Sequence, residues 1–276
     1  MSGRGGDMPR RAGVVGSPVS HSRSPDLHLA AYRWLGLVDW TYDRIECDAD
    51  GFAAMAAALD ERWIGLSVTM PNKVAALRFA DRVSERAITV GSANTLVRDG
   101  DGWSADCTDI DGIIGALGDA GVTAIDGDAV IVGAGGTARA ALAAVADLGA
   151  SGATVVVRET GRARDALEAA ERLSLPAHAV TLDALRSSVA KAAAVISTVP
   201  RGSLDAVADD VAATPVLLDA IYHPWPTPIA EAVAAAGGRV VGGLEMLLHQ
   251  AVTQVELFTG RTPSVDVMRA ALDGDR

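Results

Sequence analysis

The chain has 276 residues, of which 49% are apolar and 21% charged; at roughly 150 residues per domain this favours two domains, with a core that needs no disulfide or metal. Lysine and arginine number 24 against 35 acidic side chains, a net charge of −11, which excludes a general nucleic-acid binder or a protein docking on anionic membrane. The two cysteines, Cys47 and Cys107, have no metal-like spacing and fit a reducing cytoplasm, and no stretch reaches the ~18 apolar residues of a membrane span.

No apolar run follows the basic N-terminus, so no signal peptide is expected, and residues 1 to about 9 read as a disordered tail. A strand is expected at Ala12–Gly16, a helix from about Asp26 to Leu35, a strand at Thr41–Glu46 and a helix at Gly51–Leu59. Ile64–Thr69 reads as a strand and Asn72–Phe79 as a helix. Thr95–Arg98 and Trp103–Ala105 flank Asp99-Gly100-Asp101-Gly102, a hairpin signal because Gly and Asp tolerate the backbone of tight turns. After a helix from about Ile110 to Leu117 comes a plainer series. Strands are expected at Ala129–Val132, Ala153–Val157, Ala194–Thr198 and Val216–Ala220, with helices at Thr137–Leu148, Gly161–Arg172 and Pro228–Ala236. A long helix, Leu244–Phe258, and a short one after Pro263 close the chain. Such alternation predicts parallel sheets covered by helices, with a boundary near residue 111.

Val130-Ile131-Val132 leads into Gly133-Ala134-Gly135-Gly136-Thr137-Ala138 and then a helix. This is Gly-x-Gly-x-x-Ala between strand and helix, the context a dinucleotide site requires. The glycines permit the tight turn and close approach to a pyrophosphate, and the helix N-terminus supplies N–H groups to it; a glycine turn of purely structural use is the alternative. An acid at the end of the next strand would bind a free ribose hydroxyl, whereas an arginine would bind a 2′-phosphate. Here Val157 is followed by Arg158, Glu159 and then Arg162, which favours NADP because a guanidinium is planar and always charged. Glu159 beside them could instead hold a 2′-hydroxyl.

Ser24 followed by Pro25 reads as a helix N-cap with proline at the first helical position. Ser22 has no such reading; two hydroxyls so close can bind one small ligand group. In Val68-Thr69-Met70-Pro71-Asn72-Lys73 the lysine falls in a first helical turn, where the dipole disfavours a cation. A residue that breaks a local rule is a candidate for function, and the alternative is a solvated surface lysine. Asp106, Asp109 and Asp111 surround the next helix start; acids there are usually caps or dipole partners, and a metal cluster is the weaker alternative because no calcium-loop pattern surrounds them. One of them paired with Lys73 would make an acid–base couple.

These residues carry a resemblance. Gly16-Ser17-Pro18-Val19-Ser20-His21-Ser22-Arg23-Ser24-Pro25, Val68–Lys73, Ser92-Ala93-Asn94-Thr95-Leu96, Thr108-Asp109, Gly133–Ala138 and Gly243-Leu244-Glu245-Met246-Leu247-Leu248-His249-Gln250 resemble, in order, the motifs of the shikimate dehydrogenase family. The alanine-rich composition and Asp219-Ala220-Ile221-Tyr222 look most like its actinobacterial branch. The resemblance spans about residues 12 to 260 and implies a two-domain α/β fold. An N-terminal α/β substrate domain (1–110) is completed by C-terminal helices (241–276), with a Rossmann-like NADP-binding domain (111–240) between them and the active site in the cleft. The implied activity is the reversible NADPH-dependent reduction of 3-dehydroshikimate to shikimate in aromatic amino-acid biosynthesis, by a cytoplasmic monomer or homodimer using no metal.

By position, the resemblance implies that Lys73 is the catalytic acid–base and Asp109 its partner. Ser22, Ser24, Thr69, Asn94, Tyr222 and Gln250 match substrate-binding positions. Glu85, Gly133, Ala134, Gly135, Gly136, Thr137, Arg158, Arg162 and Gly243 match cofactor contacts. The chain departs from the family at Cys107 (usually Asn), Ile110 (often Gly), Ser197-Thr198-Val199-Pro200 (usually Asn-Ala-Thr-Ser), Val157 (Asn) and Glu159 (Thr). The alternatives are a quinate/shikimate or aminoshikimate dehydrogenase, and a nucleotide-binding regulator on the same scaffold. The Ser-x-Ser pair favours shikimate over quinate, and the presence of Lys73 and Asp109 disfavours the regulator.

Overall fold

The protein is described by a computed structural model over residues 9–273; residues 1–8 of the expected disordered tail lie outside this range. In chain order the elements are β1 (Arg11–Gly16), α1 (Ser24–Trp34), β2 (Thr41–Glu46), α2 (Phe52–Ala57), β3 (Trp63–Val68), α3 (Lys73–Phe79), β4 (Arg82–Val83), α4 (Glu85–Val90), β5 (Thr95–Asp99) and β6 (Gly102–Asp106). They continue with α5 (Asp109–Asp119), β7 (Asp128–Val132), α6 (Gly136–Asp147), β8 (Gly152–Val157), α7 (Arg164–Arg172), β9 (Ala177–Thr181), α8 (Leu185–Val189) and β10 (Ala194–Ser197). The last are α9 (Ala208–Val211), β11 (Val216–Asp219), α10 (Pro228–Ala235), β12 (Arg239–Gly242), α11 (Gly243–Thr259) and α12 (Val265–Asp273).

The chain forms two compact units. One takes the chain up to Ser84, Ser92–Asp106 and the chain from Ala251; the other takes Glu85–Gly91 and Cys107–Gln250. The change from second to first unit falls inside α11, and α4 belongs to the second unit although its sequence neighbours belong to the first.

The first unit holds a six-stranded sheet in the order β2-β1-β3-β5-β6-β4. β1 reads Ala-Gly-Val-Val-Gly after Arg11 and is buried along almost its whole length, as a strand covered on both faces must be. It lies parallel to β2 and to β3. The sheet is mixed, not parallel throughout as the alternation predicted, because the β5–β6 hairpin runs antiparallel beside β3. Gly100 turns that hairpin with φ +62°, a conformation that costs glycine little. Val15, Phe52, Leu66, Val68, Leu96 and Trp103 form the core of this unit. Helix α12 packs on α1, where Arg23 donates to the carbonyls of Ala271 and Leu272 at 3.4 Å each.

The second unit holds a wholly parallel six-stranded sheet, β12-β11-β10-β7-β8-β9. The strand order reverses between β7 and β10, the point where a doubly wound sheet opens a crevice beyond the carboxyl ends of its strands. Alanine serves this unit by size. Ala138, Ala140, Ala141, Ala143 and Ala144 of α6 are all buried, so helix and sheet approach closely with little side-chain entropy lost. α5 approaches α11 on glycines: a Cβ on Gly112 would sit 2.7 Å from the Met246 carbonyl and one on Gly115 2.4 Å from the His249 ring. The edge strands β9 and β12, and the short β4, α4, α8 and α9, were not expected from the sequence. The helix predicted over Gly161–Arg172 opens instead as a 3₁₀ turn, Thr160–Ala163, before α7 begins.

Candidate active site

In the first unit, the expected substrate residues gather where β1 and β3 end. Ser22 lies just ahead of α1, and its hydroxyl donates to the Ser24 hydroxyl at 3.2 Å, while the Ser24 N–H donates back to the Ser22 oxygen at 3.3 Å. Ser24 is therefore not the N-cap that the sequence pattern indicated. The cap position is Arg23, and Ser24 is the first helical residue, with its side chain making no cap bond. The reason is tertiary: Ser24 is buried beside Tyr42. Arg44 fixes the segment from outside, donating twice to the Ser22 carbonyl at 2.6 and 3.1 Å.

Thr69 follows β3, and its N–H donates to the Val15 carbonyl at 2.9 Å. Lys73 opens α3, as its motif indicated, with Asn72 at the cap position. Asn72 makes no side-chain cap bond; it is buried and donates to the Cys47 carbonyl at 2.8 Å. The Lys73 carbonyl accepts the Ala93 N–H at 2.9 Å, and the Asn94 carbonyl accepts the Val68 N–H at 2.7 Å. Main-chain bonds thus bring Thr69, Lys73 and Asn94 together.

Behind these residues lies a buried polar group that the sequence reading missed. Tyr42 donates to Ser67 at 2.6 Å, and Ser67 donates to Gln254 at 2.6 Å. Burial pushes the Tyr42 phenol up from its ordinary range, against the opposing effect of its Ser67 and Ser24 bonds. His28 stacks on Tyr42 with ring centroids 4.0 Å apart and is fully buried. Burial lowers its pKa to about 3, with the Gln254 bond opposing.

His28 is thus neutral in the folded protein, and its folded pKa lies below its unfolded one. Its contribution to stability is complete above the unfolded pKa near 6.5 and is lost as pH falls from there toward 3. Between pH 7.5 and 5.5 the loss from this group amounts to about 1.4 kcal/mol. Urea unfolding at both pH values should show His28→Gln with a drop smaller than wild type by that amount; an equal drop would mean that His28 is charged when folded.

In the second unit, Asp109 is the first residue of α5 and is buried. Gln250 is buried on α11, donating to the Leu247 carbonyl at 2.9 Å. Its Cβ lies so near Gly112 that a methyl there would stand 3.0 Å away. Tyr222 follows β11 on a loop tied down at both sides. Asp219 accepts the Ile221 N–H at 3.3 Å and the Thr227 hydroxyl at 2.7 Å, and the Gly243 N–H donates to the Ile221 carbonyl at 3.2 Å. Burial raises the Asp219 carboxyl above the usual range, with these bonds opposing. Gly243 opens α11 where a Cβ would lie 2.2 Å from the Ala220 carbonyl. Ser22, Ser24, Thr69, Lys73 and Asn94 belong to the first unit, and Asp109, Tyr222 and Gln250 to the second.

The nucleotide loop lies at the reversal point of the second sheet. A cleft of about 480 Å³ is lined by Gly133, Ala134 and Gly135 after β7, Arg158 and Arg162 after β8, and Val199 and Pro200 after β10. Gly133 has φ +110°, and a Cβ there would stand 2.5 Å from the Thr198 hydroxyl. That hydroxyl donates to the Val132 carbonyl at 2.9 Å, so the divergent Ser197–Pro200 stretch still braces the loop. Gly136 and Thr137 open α6 directly behind it. Glu85 opens α4, and neither it nor Gly243 is among the residues lining this cleft. Bare glycine backbone beside two guanidiniums suits a dinucleotide carrying an extra phosphate.

Asp111 pairs with Arg86 at 2.7 Å and Asp106 accepts the Ser84 hydroxyl at 2.6 Å. Neither cysteine is in a disulfide. Among the described residues no helix is long and apolar enough to cross a membrane.

A family model described as the shikimate dehydrogenase substrate binding domain matches residues 14–96, and one described as the shikimate 5'-dehydrogenase C-terminal domain matches residues 243–272. The shikimate dehydrogenase (NADP(+)) of Methanocella arvoryzae is 36% identical over 270 residues, covering 95% of this chain and 97% of that one. The solved shikimate dehydrogenase of Mycobacterium tuberculosis is 52% identical with a TM-score of 0.89, over 96% of this chain and 99% of that one, in keeping with the expected actinobacterial character. The Thermus thermophilus shikimate 5-dehydrogenase, solved with NADP(H) and shikimate, is 28% identical with a TM-score of 0.80, over 96% and 98%. Two-domain architecture, ordered motifs and identity along nearly the whole length agree, and the chain belongs to the shikimate dehydrogenase family.

Proposed function

We propose that this protein catalyses the reversible NADPH-dependent reduction of 3-dehydroshikimate to shikimate. The reading rests above all on one observation: a cleft that combines a glycine loop with two guanidiniums, in a chain of the shikimate dehydrogenase family. NADPH, when bound, supplies the hydride that reaches the carbonyl carbon of the ring. Gly133–Thr137 would hold its pyrophosphate and Arg158 and Arg162 its 2′-phosphate, while Glu85 and Gly243, outside this cleft, would meet the cofactor beyond it.

Lys73 delivers a proton to the ring oxygen during reduction and takes it back during oxidation. Asp109 orients the lysine and accepts from a ring hydroxyl. Ser22, Ser24 and Tyr222 donate to the ring carboxylate, which in a chain of net charge −11 must find its donors locally; the N-terminus of α1 adds its dipole. Asn94, Thr69 and Gln250 bond the hydroxyls, so an analogue lacking one leaves a polar group unpaired. Residues 1–110 and the C-terminal helices act as the substrate domain, and 111–240 as the cofactor domain. The working enzyme is a cytoplasmic monomer or homodimer.

The test is a turnover assay crossing shikimate and quinate with NADP and NAD, following the reduced nicotinamide. Turnover with shikimate and NADP alone is expected. Preference for quinate or for NAD would move the protein to the catabolic relatives and make Glu159 a cofactor determinant. No turnover in any combination would favour the regulator.

A further inference from the structure

The segment between β1 and α1 carries Ser22 and has no regular structure of its own. Its shape comes from one face of β2. Side chains two apart on a strand point to the same side, and Tyr42, Arg44 and Glu46 meet the segment at three successive steps. Tyr42 lies beside Ser24. Arg44 donates from Nε and from a terminal nitrogen to the Ser22 carbonyl, at 3.1 and 2.6 Å. Glu46 accepts the Val19 N–H at 3.0 Å. As the strand position rises from 42 to 46, the loop position falls from 24 through 22 to 19, so the segment runs along β2 against its direction.

Both main-chain polar groups of Ser22 are fixed in this way. Its N–H donates to the Val19 carbonyl at 3.0 Å, closing a turn, and its carbonyl accepts from Arg44. Val19, the other end of the turn, is held by Glu46, and the Ser22 oxygen accepts the Ser24 N–H at 3.3 Å. The Arg44 and Glu46 side chains are exposed, so the core of the unit does not depend on them. A planar guanidinium closed with two N–H groups on one carbonyl sets the angle of that carbonyl as well as its place.

We propose that Arg44 and Glu46 are positioning residues: from one face of β2 they set the Val19–Ser22 turn, and through it the place of the Ser22 hydroxyl that meets the ring carboxylate. The claim deepens the reading of Ser22 as a carboxylate-binding residue of a shikimate-oxidising enzyme, and rests on it. Neither residue is assigned a contact with the substrate. A binding hydroxyl on a loop is effective only while a rigid element holds that loop.

The experiment is steady-state kinetics of the purified full chain with shikimate and NADP, on Arg44→Met, Ser22→Ala and the double variant. Arg44→Met keeps an aliphatic stem and removes both bonds to Ser22. It should raise the KM for shikimate about tenfold, with kcat and the KM for NADP each held within about twofold. In the Ser22→Ala background the same change should add little, because residues acting through one another fail to multiply. Glu46→Ala should raise the KM for shikimate about threefold, and Glu46→Gln, which keeps an acceptor for the Val19 N–H, should restore it. Fully multiplicative effects of Arg44→Met and Ser22→Ala would make Arg44 a direct partner of the carboxylate and overturn the proposal. So would a matching rise in the KM for NADP, or an unchanged KM for shikimate in Arg44→Met or Glu46→Ala. A wild-type enzyme that fails to oxidise shikimate overturns the functional reading instead, so the two failures are told apart.

Discussion

Replacing Lys73 with alanine is expected to lower kcat for shikimate oxidation by ~10²–10⁴, the usual contribution of a positioned proton-transfer group. The KM for shikimate should change little, because the hydroxyls and amides that hold the ring are other residues. The structure favours a clean experiment. The Lys73 main chain is fixed by the Ala93 N–H, and Asn72 ahead of it is buried and bonded to Cys47, so the side chain can be removed without disturbing its frame. Lys73→Arg is the sharper companion: it keeps the charge but holds its proton too tightly to exchange it, and it should be nearly as slow. A kcat unchanged in both variants would take Lys73 out of the chemistry. A KM rise with kcat preserved would make it a binding residue.

The second large effect concerns the cofactor. Arg158 and Arg162 line the nucleotide cleft from the loop after β8 and are exposed. A charge-assisted hydrogen bond to a phosphate contributes about 1.5–3 kcal/mol, so Arg158→Ala should raise the KM for NADP by roughly ten- to a hundredfold while the KM for NAD stays nearly constant. The double replacement with Arg162 should abolish the preference for NADP. Because both guanidiniums are solvent-exposed, the effect should shrink at high ionic strength. Equal losses for NADP and NAD would give Arg158 a structural role. A selective loss for NAD in Glu159→Gln would show that this acid holds the 2′-hydroxyl.

The substrate edge at Asn94 and the nucleotide cleft illustrate different kinds of legibility. The glycine loop is local in every respect: strand, turn and helix follow one another over about a dozen residues, and the need for glycine at 133 is written in its positive φ and in the closeness of Thr198. Lys73 was legible for a related reason, since a cation in a first helical turn conflicts with its own helix. Ser24 shows where local reasoning misleads. Its sequence setting fits an N-cap, yet it is buried beside Tyr42, a residue 18 positions distant that the pairing of β1 with β2 brings alongside. The buried group around Gln254 was hidden altogether. Its members lie at 28, 42, 67 and 254, and a glutamine four residues after Gln250 carries no mark in the sequence beyond falling on the same helical face.

By itself, then, the sequence determined what neighbouring residues decide together: the alternation of strands and helices, the hairpin at Gly100, the nucleotide loop, the lysine at a helix start and, through six ordered motifs, the family. Strand order, the mixed pairing of the first sheet, the short edge strands β9 and β12, and the inclusion of α4 in the second unit were decided only by tertiary structure. So was the buried polar group of His28, Tyr42, Ser67 and Gln254. The physical reason is common to all of these. Periodicity and turn chemistry act over a few bonds, whereas an edge strand of four or five residues or a buried amide takes its partners from segments that only sheet register and the close packing of the core bring within hydrogen-bond reach.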